Sequence, residues 1–302
     1  MRVLITGATG MIGKQIVEEC LRQGIAVNYL TTSQAKLTAT ENYKGFYWNP
    51  EKGEINTSCF QDVDAIIHLA GATISKRWTK RYKEEIIESR IVTANFLYSQ
   101  LKKESHRVKH FITASGINIY KSDFNVTHTE TSKAIDISFL ANVVSTWENV
   151  ADKFENEGLT VSKIRTGMVL DQNGGALPKI MQPIKLGLGA ALGTGNQWQS
   201  WIHIEDIARL YVFVLKNKLN GVYNAVAPQP VTNAEMTKRI AQQLNKPLWL
   251  PNVPAFVLKA VLGEMSTLVL SSQKVSAQKI KDAGFIFTYP TLHDALQDLL
   301  SK

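Results

Sequence analysis

Cysteine is nearly absent: Cys20 and Cys59 are the only two in 302 residues, which excludes a disulfide framework and a cysteine-based metal site. Cys20 falls on the apolar side of an expected helix and reads as a buried free thiol. Long uncharged apolar runs are missing as well. The most apolar late stretch, "VPAFVLKAVLGEMSTLVL", is broken by Lys259 and Glu264, so it is expected as a packed helix and not as a membrane span. The opening "MRVLITG" offers too short an apolar run for a signal peptide, and a reducing, cytoplasmic setting without membrane contact is the expectation. Basic runs never exceed two residues although the net charge is +8. With no recognition motif beside that charge, nucleic acid is set aside. A solvated surface explains the charge first, and a phosphate-bearing ligand second.

What is present is a chain with 44% hydrophobic residues, enough to bury a large α/β domain and a smaller lobe. Short Val- and Ile-rich runs, "VLIT" (3–6), "AVNYL" (26–30), "DAIIHLA" (64–70), "HFITAS" (110–115) and "TVSKIRTGMVL" (160–170), alternate with helical periods near 12–23, 80–103 and 139–157. Continuous apolar strands separated by helices predict a doubly wound parallel sheet, a Rossmann fold, with ligands at the carboxyl ends of the strands. The glycine-rich "DQNGGALPKIMQPIKLGLGAALGTGNQWQSW" is expected as a partly ordered excursion over a site, with "IHIEDIARLYVFVLKN" returning to the main body as a strand end and helix. The expected division is a dinucleotide-binding domain over 1–170, rejoined by 201–225, and a smaller substrate lobe from 171–200 and 226–302.

"VLITGATGMIGKQI" places Gly7, Gly10 and Gly13 directly after the first strand and at the mouth of a helix. Gly7 allows a tight turn, Gly10 a close approach of backbone to pyrophosphate, and Gly13 close helix–strand packing. Thr9, Met11 and Ile12 lie in the same turn, whose free N–H groups face phosphate charge. At the end of the second strand the sequence reads "NYLTTSQAK". No acid stands there to accept from a ribose 2′-hydroxyl and repel a 2′-phosphate. Thr31, Thr32, Ser33 and Lys36 offer hydrogen bonds to that phosphate, so NADP(H) is expected over NAD(H). A plain polar turn without discrimination is the other reading.

Those motifs, with "DAIIHLAGATI" (64–74), "RWTKRYKEEIIESRI" (77–91), "SWIHIEDIA" (200–208), "GVYNAVAPQPVTNAEM" (221–236) and "LGEMSTLVLSSQKVSAQKIKDAGFIFTYP" (262–290), resemble the atypical extended short-chain dehydrogenases/reductases. The likeness is to the epimerase-like subfamily, relatives of the human short-chain dehydrogenase family 39U, and it runs almost end to end. It implies an NADP(H)-type Rossmann domain with a substrate lobe and a C-terminal extension. It also assigns Leu69, Ala70 and Gly71, with His68, to cofactor contact, and Thr113, Ser115 and Arg165 to segments bordering the nicotinamide.

The resemblance also exposes a loss. Working members carry a tyrosine that handles the substrate proton and, four residues on, a lysine that lowers its pKa. Anchored on Glu148, this chain has Leu140 and Val144 at those positions, and 138–150 contains neither Tyr nor Lys. Substitute proton carriers are Ser115 and Tyr120, an aromatic that equally suits packing. His203 reads as a structural residue at a strand edge. Arg90 stands where the superfamily organises active-site water, and it either contacts cofactor or an anionic substrate or pairs with Glu84 or Glu88 on its own helix. Trp78, Trp198 and Trp201 are expected in loops beside the cleft, lining a ligand or packing the lobes. Two functional expectations follow: an NADP(H)-dependent epimerase-like oxidoreductase acting on a small hydroxyl or carbonyl substrate, or a non-catalytic NADP(H) sensor. Either is expected as a monomer or homodimer.

Overall fold

The Val- and Ile-rich runs become strands of one sheet in a computed structural model that describes residues 1–301. The strands are β1 (Arg2–Thr6), β2 (Ala26–Thr31), β3 (Tyr43–Asn49), β4 (Glu54–Ile55), β5 (Ala65–His68), β6 (His110–Gly116), β7 (Thr160–Thr166) and β8 (Gly221–Ala225). Their spatial order is β8-β7-β6-β5-β1-β2-β3-β4. β1 pairs in parallel with β2 and β5, β2 with β3, and β5 with β6, while β4 closes the edge antiparallel to β3. This is the expected Rossmann arrangement. From β1 the chain first builds outward through β2 to β4 and then returns to β5 on β1's other side. The switch point therefore lies beyond Thr6 and His68, which face each other in register.

Three helices carry the site residues. α1 (Met11–Arg22) buries Gly13, Ile16, Val17 and Cys20 at helical spacing. α2 (Lys80–Leu101) starts at Thr79, whose side chain accepts from the Tyr82 N–H, and buries Ile86, Arg90, Ala94, Leu97 and Leu101. α3 (Phe139–Asp152) buries Leu140, Val143, Val144, Trp147, Glu148, Val150 and Ala151. It ends five residues before the expected limit, and the chain then takes a 3₁₀ turn over Glu155–Glu157. One core cluster gathers Leu4, Leu30, Ile66, Leu97, Phe111 and Phe154, the last two stacked with ring centroids 3.7 Å apart. Cys20 and Cys59 are both buried, and burial pushes the Cys20 thiol up to about 12, so neither is reactive at neutral pH.

The chain forms two compact units. The first comprises Met1–Gly116, Asn142–Arg165 and Ala208–Tyr223; the second comprises Ile117–Ala141, Thr166–Ile207 and the chain from Asn224 onward. The second unit is more ordered than its glycine content suggests. Helix Leu177–Lys185 forms with Pro178 in its first turn and tolerates Pro183, and Trp198–Gln199 pairs antiparallel with Val231–Thr232. The run expected as one strand over 160–170 is cut at Gly167, where a Cβ would lie 2.4 Å from the Ser200 carbonyl oxygen. Beyond the cut, Met168–Leu170 pairs in parallel with Trp201–His203.

Two expectations fail here. The 253–270 stretch is not one packed helix: it runs Ala255–Leu262, breaks at Gly263 with φ +59°, and leaves Phe256 and Val261 each 73% exposed. Trp198 and Trp201 lie in strands, not loops. Trp201 is fully buried with its indole N–H donating to the Gln229 carbonyl at 3.0 Å, so it packs the unit.

The C-terminal extension is tied in by polar contacts. Gln273 donates to the Tyr120 carbonyl at 2.6 Å, and the buried Asp206 carboxylate accepts from the N–H groups of Thr288 and Tyr289 at 2.8 and 2.9 Å. Among the described residues no helix is long and apolar enough to cross a membrane.

Candidate nucleotide and proton-handling sites

At the switch point the backbone itself forms the candidate surface. Gly7 holds φ +71°, and a Cβ there would lie 3.0 Å from the Leu69 carbonyl carbon and 3.2 Å from the Ala70 nitrogen. At Gly13 a Cβ would strike the Gly7 carbonyl oxygen at 2.2 Å. Gly10 caps α1 in an extended conformation with no side-chain hydrogen bond, and the first turn carries no acid. The opening N–H groups of a twelve-residue helix are thus left for an anion, with the positive end of the helix dipole behind them. Thr9, Met11 and Ile12 are only half-buried around this turn.

Thr6, which the sequence reading passed over, joins the turn to the neighbouring strand end. Its hydroxyl accepts from the N–H groups of both Leu69 and Ala70 at 3.1 Å. His68, buried and held neutral by desolvation with its pKa near 3, is hydrogen-bonded to Thr93. Ala72 donates to Ser89 at 2.8 Å. A threonine directly before a glycine turn was the available signal.

At the end of β2 the Thr31 hydroxyl accepts from the Ser33 N–H at 3.2 Å. Thr32 and Lys36 are exposed and no carboxylate occupies the stretch 31–36.

The other expected residues separate. Ser115, 5% exposed on β6, donates to Glu148 Oε1 at 2.6 Å, and Arg165 grips the same carboxylate through Nε and Nη2, each at 2.8 Å. Burial alone would raise the Glu148 carboxyl; the Arg165 hydrogen bonds and charge, with the Ser115 hydroxyl, outweigh it and hold the group below its ordinary value. Thr113 pairs in register with His68, so Ser115 lies just beyond the carboxyl end of β5. Arg165, expected against cofactor, has its guanidinium committed to this ion pair. A buried glutamate on an apolar helix face demands a cation, and Arg165 is the buried arginine on β7.

Tyr120 belongs to the second unit. It is 1% exposed, stacks on His128 with centroids 5.0 Å apart, and its hydroxyl donates to Asn224 Oδ1 at 2.8 Å. His203 lies against Tyr289 with ring centroids 3.8 Å apart and the rings tilted by 32°. Arg90 makes no ion pair with Glu84 or Glu88; its Nη1 donates to the carbonyls of Ile86 and Ala72, and its guanidinium carbon lies 4.8 Å over the Trp147 ring. Among the described residues no cluster of His, Cys, Asp and Glu is arranged to hold a metal.

A parallel sheet with a glycine turn shaped for backbone contact and a bare helix N-terminus at its switch point define a dinucleotide-binding Rossmann protein. Comparison with known proteins narrows this. Residues 3–138 and 168–225 match the NAD dependent epimerase/dehydratase family, and residues 253–299 match the Domain of unknown function (DUF1731). An epimerase family protein of Staphylococcus aureus is 37% identical over 302 residues, with 99% of both chains covered; one of Staphylococcus saprophyticus is 37% identical over 304, covering 98% of each. The crystal structure of human epimerase family protein SDR39U1 with NADPH superposes with a TM-score of 0.88 at 28% identity, covering 100% of both chains. The nucleoside-diphosphate sugar epimerase of Corynebacterium glutamicum gives 0.79 at 27% identity over 99% of this chain and 58% of that one. The chain belongs to the NAD dependent epimerase/dehydratase family. Its fold is that of the extended short-chain dehydrogenases/reductases.

Proposed function

We propose that the protein is an NADP(H)-dependent epimerase-like oxidoreductase acting on a small hydroxyl or carbonyl substrate, with Ser115 in place of the tyrosine–lysine pair. The observation that carries this reading is the buried chain Ser115–Glu148–Arg165 beside the strand end Leu69–Gly71. The backbone of residues 7–13, with Thr9, Met11 and Ile12, holds the pyrophosphate; Leu69, Ala70 and Gly71 flank the ribose. Thr31, Thr32, Ser33 and Lys36 favour a 2′-phosphate in the absence of an acid, and the human relative's complex with NADPH supports that preference. When bound, the nicotinamide supplies the hydride acceptor and donor. Residues 171–200 and 226–302 are assigned to substrate binding.

Glu148 is held ionised by Arg165, so Ser115 keeps its hydrogen on that carboxylate and presents oxygen lone pairs to a substrate hydroxyl. A carboxylate with a depressed pKa is a poor base at neutral pH. Ser115 therefore orients the hydroxyl, and the proton leaves to water. Tyr120, whose donor is already taken by Asn224, is assigned to anchoring the C-terminal extension.

The test is turnover of a panel of nucleotide-linked sugars and small carbonyls by wild type and Ser115→Ala with NADP(H). Wild-type turnover that falls roughly two- to tenfold without the hydroxyl, as loss of one neutral hydrogen bond to the substrate requires, supports the assignment. Equal rates in both overturn it.

Buried Leu140 and Val144 favour a second reading, a sensor of the NADPH/NADP ratio. That reading stands if no substrate is turned over while reduced and oxidised cofactor change partner binding.

A further inference from the structure

Helix Ala255–Leu262 reads AFVLKAVL, apolar at every position but Lys259, yet it buries only Leu258. A helix that is hydrophobic all round is ordinarily covered all round. Here Phe256 and Val261 are each 73% exposed, and Lys259 and Ala260 stand open between them. The chain beside the helix has the same character. Val253, just before it, donates its N–H to the Ala191 carbonyl and accepts from the Gly193 N–H, both at 2.8 Å. A little upstream, Leu248 lies so close to Gly189 that a Cβ on the glycine would meet its Cδ2 at 2.8 Å. Segments 186–193 and 248–253 therefore run side by side to the start of the helix. Along them Leu186, Leu188 and Trp249 are 69, 57 and 68% exposed. All of these residues belong to the second unit.

Single apolar side chains scattered over a surface need no explanation, but five large ones along one edge do. Their exposure bears on what covers them. Side chains this open project outward, so they suit insertion into a neighbouring phase and not the wall of a groove. Charge narrows the choice. No acid occurs between Gln172 and Ile204 or between Asn245 and Gly263. Lys185, Lys246 and Lys259 are exposed and interleaved with the apolar residues, and among the described residues none of the three joins an ion pair. A second copy docked through the same edge would bring these lysines together with no acid to offset them.

We propose that this edge is a peripheral docking surface for an anionic lipid bilayer. Trp249, Phe256, Val261 and the two leucines enter the boundary between headgroups and acyl chains, and the lysines lay their stems along that boundary with the ammonium groups on lipid phosphates. The proposal departs from the expectation of no membrane contact, which rested on the lack of a spanning run; interfacial docking needs none. It does not rest on the functional reading above, since no residue of the glycine turn or of the Ser115–Glu148–Arg165 chain takes part.

The experiment is co-sedimentation of the full chain with vesicles of phosphatidylcholine alone and with about a third phosphatidylglycerol, at low salt and in about 1 M sodium chloride, where the screening length falls to about 3 Å. Wild type should bind the anionic vesicles at low salt, bind the neutral ones weakly, and release in high salt. Trp249→Ser with Phe256→Ser keeps every charge and should lower binding to anionic vesicles roughly tenfold or more. Lys185→Gln, Lys246→Gln and Lys259→Gln together should do the same and leave the weak neutral binding in place. Because all five positions are exposed, both variants should keep the unfolding midpoint and NADPH affinity of wild type. Failure of wild type to bind anionic vesicles overturns the proposal. Full binding by the Trp249 and Phe256 variant also overturns it, since net charge alone would then explain the attraction. So does a wild-type dimer in sedimentation velocity that this variant converts to monomer without any vesicle binding, which would give the edge to a second copy.

Discussion

The glycine turn at residues 7–13 and the Ser115–Glu148–Arg165 chain belong to the same unit and are built on opposite principles. The first presents backbone: its side chains are absent because a Cβ at Gly7 or Gly13 would collide with neighbouring main chain. The second works entirely through side chains, three buried polar groups that are tolerable only because each satisfies another. A backbone site survives change everywhere except at its glycines. A side-chain network is replaced as a set.

The largest expected effect falls on the side-chain network. Arg165→Met leaves Glu148 buried without its cation and should cost about 3–5 kcal/mol in chemical unfolding at neutral pH. The double variant Glu148→Met with Arg165→Met should recover most of that, and an additive double-variant loss would show that the pair is not coupled. The same pair sets a pH dependence. Because Glu148 is held below the ordinary carboxyl value, its contribution is complete above the unfolded pKa of about 4.3 and is lost as pH falls through the lower folded value. Glu148→Gln should flatten the acid limb of the stability profile; an unchanged acid limb would count against the depressed pKa.

Next comes the turn. Gly13→Ala forces a methyl against the Gly7 carbonyl and should cost about 1–3 kcal/mol while abolishing measurable NADPH binding. Retained affinity would break the contrast between a backbone site and a side-chain site. The smallest effect is expected outside both regions. Tyr120→Phe removes one buried hydrogen bond to Asn224 and should cost about 1 kcal/mol with turnover unchanged; a matching fall in turnover would return Tyr120 to the chemistry.

How much was legible in the sequence follows the same division. Glycine spacing and Val/Ile runs are local signals, so the turn, the three helices and five of the sheet's strands could be read directly. Strand Tyr43–Asn49 escaped because it is a mostly half-buried strand whose aromatic residues give no continuous apolar run. Helix Leu177–Lys185 was hidden by its two prolines. The apolar composition of 253–270 suggested burial, but composition does not fix which face meets a partner, and Gly263 ends the helix in a left-handed conformation. Glu148 was visible as a family position and Arg165 as a residue near the nicotinamide, yet their ion pair joins residues 17 apart and the serine lies 33 residues from the glutamate. Contacts at that separation are decided by the sheet, not by local pattern.

The central claim is that the cofactor half of the site is intact although the tyrosine–lysine pair is gone. Calorimetric titration of NADPH and NADH into wild-type protein tests it most directly. NADPH should bind stoichiometrically and roughly tenfold or more tighter than NADH, a difference of about 1.4 kcal/mol. Absence of binding by either dinucleotide would contradict the claim, and equal affinities would remove its NADP(H) preference.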